Sequence, residues 1–172
     1  TGTPDNTDNV FSGWRNNSGT LRLDSCKCDG GDAAAQTASG PLSVDQCSFT
    51  TFSYAGVIST NSDTSVTGGT TIVSGGSRQG TLRGIYATDG GTLLVNARIA
   101  LPNLEGGSEV GIDVATDSGQ IIGSRIEASS GIVSSNALGR GIAIGFNSVI
   151  SQAGQQISSQ AVDEVAHNIL ST

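Results

Sequence analysis

The chain has 172 residues, of which 25 are glycine, 13% are charged, 35% are hydrophobic and 4% are aromatic, and it contains no methionine. Averages of about 7% glycine and about 25% charged residues make this the opposite of a helical bundle or coiled coil, and the length suits one domain, residues 1–172. A net charge of -7 without a basic cluster sets a negative field that disfavours nucleic acid, and no apolar run is long enough for a spanning helix, so membrane insertion is not expected.

The opening Thr1-Gly2-Thr3-Pro4 has neither Met nor a signal peptide's apolar core and reads as a processed or trimmed end. Residues 1–18 are expected to form an N-terminal cap, with Trp14, Arg15 and Asn16 over the open end of the first repeat. Asn16-Asn17-Ser18 is a formal glycosylation sequon.

From residue 19 to 158 the sequence repeats. Six segments align from a leading Gly or Asn: Gly19-TLRLDSCKC, Gly40-PLSVDQCSF, Gly69-TTIVSGGSR, Gly91-TLLVNARIA, Gly119-QIIGSRIEA and Asn147-SVISQAGQQ. Apolar residues alternate at strand period after each start, as in Leu21/Leu23, Leu42/Val44 and Leu93/Val95. A second block, Gly84-IYATDGG, Gly111-IDVATDSG and Gly141-IAIGFNS, runs an apolar strand into a Gly/Asp/Asn corner. Units of roughly 21 to 29 residues cannot bury an apolar face alone, but stacked as parallel coils they enclose a continuous interior. The expected fold is all-β, a β-solenoid of about six coils; a Greek-key sandwich is the structural alternative. Residues 159–172 form the C-terminal cap, where Val162, Val165, Ala166 and Ile169 fall at helical spacing and predict a short helix.

The third position of each segment should point outward. There Ile72, Leu94, Ile122 and Ile150 would form an exposed apolar column, which soluble monomers rarely leave uncovered. The column predicts a homo-oligomer, most simply a trimer around the solenoid axis.

Candidate chemistry is sparse. Cys26, Cys28 and Cys47 lack a fourth metal ligand, so buried thiols are expected, with a Cys26–Cys47 disulfide as the alternative. Asp24 and Asp45 should stack in adjacent coils; with Asp29 and Asp32 they make the densest acidic neighbourhood and the candidate ligand or Ca²⁺ site, and no other cofactor is implied. The run Asp5-Asn6-Thr7-Asp8-Asn9 is a weaker version of the same. No Gly-x-Ser-x-Gly motif occurs, the lone His167 has no positioned partner, and no catalytic residue is assigned.

The Gly-Ile-x-x-(Ala)-Thr-Asp-Gly/Ser-Gly-x-Leu/Ile units at Gly84 to Asn96 and Gly111 to Ser124 resemble coils of right-handed, single-stranded parallel β-helix proteins of the pectin-lyase-like type. Phage tailspikes, tail fibres and head-appendage adhesins look most similar, over roughly residues 10 to 158. The resemblance implies a virion or extracellular location, trimeric assembly, and host surface polysaccharide or other virion proteins as partners. Depolymerases of this kind use acid pairs; none is evident here, so the implied function is a non-enzymatic structural or receptor-binding β-helix. A polysaccharide lyase or glycosidase and a secreted adhesin or filament subunit are the alternatives.

Overall fold

The computed structural model describes residues 12–74, 80–101, 108–134, 142–145, 147–151, 157–159, 162–166 and 168–171. The acidic run 5–9, Phe146, Gln152 and His167 lie outside them. Every described element is a strand, and the strands come in laps. The first lap is β1 (Ser12–Asn16), β2 (Leu21–Asp24) and β3 (Lys27–Asp29); the second is β4 (Ala33–Thr37), β5 (Leu42–Asp45) and β6 (Ser48–Thr50). In the third, β7 (Ala55–Thr60) precedes the long β8 (Thr64–Val73), and in the fourth, β9 (Thr81–Thr88) precedes the long β10 (Thr92–Ala100). Then come β11 (Ser108–Val114), β12 (Ser118–Ile122) and β13 (Arg125–Ala128), followed by β14 (Ser130–Ser134), β15 (Ile142–Gly145) and β16 (Ser148–Ser151). The last lap is β17 (Ile157–Ser159), β18 (Val162–Ala166) and β19 (Ile169–Ser171).

Each strand pairs in parallel with its counterpart one lap away. The first sheet runs β1-β4-β7-β9-β11-β14-β17. The second bends into two faces, one running from β2 to β18 and the other from β3 to β19, which β8 and β10 bridge without a break. The chain is therefore a parallel β-solenoid, with about five turns stacked between its terminal laps, close to the six expected.

Three apolar rows meet in the lumen. Ala35, Val57, Ile85, Ile112 and Ile132 come from the first sheet, and Val44, Val66, Val95, Ile121 and Ile144 from the near face of the second. Phe49, Ile72, Ile99, Ile126 and Val149 come from the far face, and the side chains of all three rows are buried. Each Ile hidden in this way contributes about 1.5–3 kcal/mol, and β-branched shape suits both the strand and a column of like residues. Trp14 begins the first row, its ring 6.1 Å from that of Phe49, and fills the lumen of the first lap.

The lumen is thin because glycine lines part of it. Ala55 faces outward while Val57, two residues on, faces inward, so strand alternation slips at Gly56. Gly84 and Gly111 occupy the same place in later laps. A Cβ at Gly84 would sit 2.5 Å from the Gly111 carbonyl and 2.5 Å from Ile99 Cγ2. The first sheet bends at these glycines and lets the far isoleucine row press against bare backbone.

Corners are closed by a second device. The Cys47 N–H donates to Thr70 Oγ1 (3.2 Å), Ala97 N–H to Ser124 Oγ (3.2 Å), Ser124 N–H to Asn147 Oδ1 (2.8 Å), and Asn147 N–H to Asn168 Oδ1 (3.1 Å). Asn147 Nδ2 also donates to the Ile121 carbonyl at 2.8 Å. At a bend the strand ladder opens, and these side chains satisfy the freed backbone groups.

Three expectations change. Gly69 and Asn147 do not begin coils: both lie at the corner between the two faces of the second sheet, and Thr64 pairs with Leu42 and Leu93 at the true start. Gly141-IAIG is likewise not a third copy of the first-sheet block, because β15 pairs with β12; Gly131-Ile132 is the real counterpart. The C-terminal helix is a strand, β18, paired in parallel with β15 through a register shift between Ile142 and Ala143. The open hydrogen-bonding edge of the preceding lap and the β-branched Val162 and Val165 outweigh the helical spacing.

Substituting Gly84→Ala is expected to destabilise the chain by about 1–3 kcal/mol through overpacking, measured by urea unfolding. Asn147→Leu keeps the branched outline of the side chain but removes the partners of the Ser124 N–H and the Ile121 carbonyl, and should cost about 1–3 kcal/mol for each group left unpaired in the same assay.

Candidate binding groove

Outward residues of the near face form a concavity. A groove of about 550 Å³ crosses β5, β8, β10 and β12. Its floor is one outward row, Ser43, Ser65, Leu94 and Gln120, whose members pair lap to lap. Its wall is the line of strand starts Pro41, Asp63, Thr92 and Ser118. Two serines on the floor leave space that larger side chains would fill. Parallel stacking sets successive members of each row about 4.8 Å apart along the groove.

Asp63 is the carboxylate of this lining. It accepts the Thr92 N–H at 2.9 Å and also the Thr92 hydroxyl. Those two donors hold its carboxyl below the ordinary Asp range, the hydroxyl contributing most, against a small opposing effect of burial. Leu94 is the apolar element: at 43% exposure it is, among the described residues, the large hydrophobic left open in mid-stack, whereas exposed Ile169 and Leu170 belong to the last lap.

The predicted outer column does not include Ile72. Ile72 is wholly buried, in the lumen row between Phe49 and Ile99. Leu94 lies on the groove floor, half-buried Ile122 pairs with Gly145 near the corner, and Ile150 takes a register position beside Glu127 on the other face. The error came from counting β8 from Gly69, which shifts its inward residues to the outside.

The acidic neighbourhood is assembled in part. Asp24 and Asp45 are paired in adjacent laps as expected, but the acids act as fasteners. Asp24 accepts the Ser25 hydroxyl (3.0 Å) and Asp45 the Thr67 hydroxyl one lap on (2.9 Å). Asp29 takes the hydroxyls of Thr51 and Thr50, which lower its pKa, and the buried Asp32 takes that of Ser53. Among the described residues no group of three or more His, Cys, Asp or Glu is placed to hold a metal ion. The three cysteines are free thiols.

One cluster escaped the sequence reading. On the outer side of the first sheet, Arg83 Nε lies 2.8 Å from Asp113 Oδ2, and its guanidinium stands 4.5 Å from the Tyr86 ring centre and 5.4 Å from that of Tyr54. The two rings meet edge to face at 6.3 Å over Ala33, Ala55 and Ile58. This cluster seals apolar surface on the outside of the sheet. The only signal for it was Tyr86 and Asp113 one lap apart.

Comparison with models of known protein families, with curated proteins and with solved structures finds no match to this chain.

The Asp63 contacts set a pH dependence. Its folded pKa is depressed, so the stabilisation is present at neutral pH and is lost as pH falls through the carboxylate range, below about pH 4. Asp63→Asn should flatten that part of the melting-temperature profile, measured by circular dichroism between about pH 7 and pH 3.

Proposed function

We propose that this chain is a rigid, non-enzymatic β-helix of a virion or other extracellular surface, of the pectin-lyase-like kind found in phage tailspikes, fibres and head appendages, and that it binds host surface polysaccharide along the near-face groove. The observation that carries the reading is the groove itself. Hydroxyls of Ser43, Ser65, Thr92 and Ser118 and the Gln120 amide surround the exposed Leu94. A sugar ring offers the complementary surface, hydroxyls at its edge and an apolar C–H face. A polymer of such rings is extended, and the groove runs across four strands, β5, β8, β10 and β12.

Charge narrows the choice. Asp63 and the net charge of -7 disfavour polyanionic glycans, so neutral or amino-sugar polymers fit better. Two-carboxylate hydrolysis needs a facing pair, and this lining contributes Asp63 alone, already held by Thr92. Ile72 lies inside the lumen, so the reading rests on the groove, and trimeric assembly stays a part of the proposal that the resemblance alone implies.

Calorimetric titration with neutral bacterial surface polysaccharides should show binding that Leu94→Asp or Gln120→Ala weakens about tenfold, while Arg98→Ala, on the other face, leaves it unchanged. Binding indifferent to Leu94→Asp would move the site off the groove. Release of reducing ends or unsaturated sugars would make the chain a polysaccharide-degrading enzyme instead.

A further inference from the structure

The first two laps repeat one corner almost identically. Ser25 and Gln46 both take left-handed backbone with φ of 52°, and each is followed by a cysteine. The Cys26 N–H donates to Cys47 Sγ across 3.4 Å, which brings the second thiol against the backbone of the first. Each thiol also donates to the carbonyl two residues back, Asp24 for Cys26 (3.3 Å) and Asp45 for Cys47 (3.2 Å). Cys47 is buried, Cys26 is partly exposed, and Cys28 sits apart, beside Phe49 in the lumen row.

We propose that Cys26 and Cys47 are a cross-lap disulfide site, closed by a low-molecular-weight disulfide such as oxidised glutathione, and that closure locks the first lap onto the second. Neighbouring parallel strands lie about 4.8 Å apart, inside the Cα range a disulfide spans. The cysteines follow the ends of β2 and β5, at a corner rather than within a ladder, so their Cβ atoms can approach without breaking strand pairing. Cys26, after losing its proton to solvent, attacks one sulfur of the small disulfide; that S–S bond breaks and one thiolate leaves, to be protonated by solvent. Cys47 then loses its proton and attacks Cys26 Sγ, and the second small thiolate departs. Two cysteine sulfurs are oxidised and the two reagent sulfurs are reduced. Burial raises the Cys47 pKa, so closure should accelerate with rising pH.

The test is exposure of the folded chain to oxidised glutathione, then denaturation, alkylation and peptide mass mapping. Untreated chain should take an alkyl group on all three cysteines, and treated chain on Cys28 alone, with the peptides of Cys26 and Cys47 joined. Cys28→Ser should leave that link intact, and Cys47→Ser should trap glutathione on Cys26. Amide exchange in β2 and β5 should slow about tenfold in the bridged chain. Three alkylated cysteines after treatment, a Cys26–Cys28 link, a persistent glutathione adduct in the unmutated chain, or unchanged exchange would overturn the proposal.

Discussion

Everything in this molecule depends on how closely its sheets approach across the lumen. Gly56, Gly84 and Gly111 remove side chains where the first sheet bends, and Ile72, Ile99 and Ile126 fill the resulting space with their Cγ2 methyls. Apolar burial supplies the driving force, but the glycines fix the width of the cavity to be filled. Larger residues there would push the sheets apart and strip the isoleucine row of its contacts.

A thin lumen forces sharp corners, and sharp corners expose backbone polar groups. The chain answers with two kinds of lap-to-lap fastener. Inside, Thr70, Ser124, Asn147 and Asn168 take up N–H groups at the bend between the faces of the second sheet. Outside, Asp29, Asp32, Asp45 and Asp63 each accept a hydroxyl from the following lap. Three of the four acids that look like a ligand cluster in the sequence, Asp29, Asp32 and Asp45, are thus occupied in holding the stack together, while Asp24 accepts from its neighbour Ser25. The groove on the near face is a by-product of this stacking, since it opens where Ser43 and Ser65 follow one another outward and leave Leu94 uncovered.

The solenoid was legible because strand alternation and spaced glycines are local signals. The first two laps pair as their residue pattern suggests, Leu21 with Leu42 and Asp24 with Asp45. Register failed where a corner carries no break in the strand. In β8, Gly68 and Gly69 turn the chain between faces through a register shift inside one continuous strand, and taking Gly69 as a start placed Ile72 outside. Helical spacing at the C-terminus misled for a different reason: an unfilled strand edge in the preceding lap offered hydrogen bonds that no local pattern records. The groove was illegible because concavity arises from residues a lap apart, and Asp63 gave no motif of its own.

The most direct test is a set of methyl–methyl nuclear Overhauser contacts in selectively labelled chain. Stacking in the described register predicts strong contacts running Ile72 to Ile99 to Ile126 and none from Ile72 to Leu94. Contacts between Ile72 and Leu94, or the close cross-strand Hα pairs of antiparallel hairpins, would contradict it.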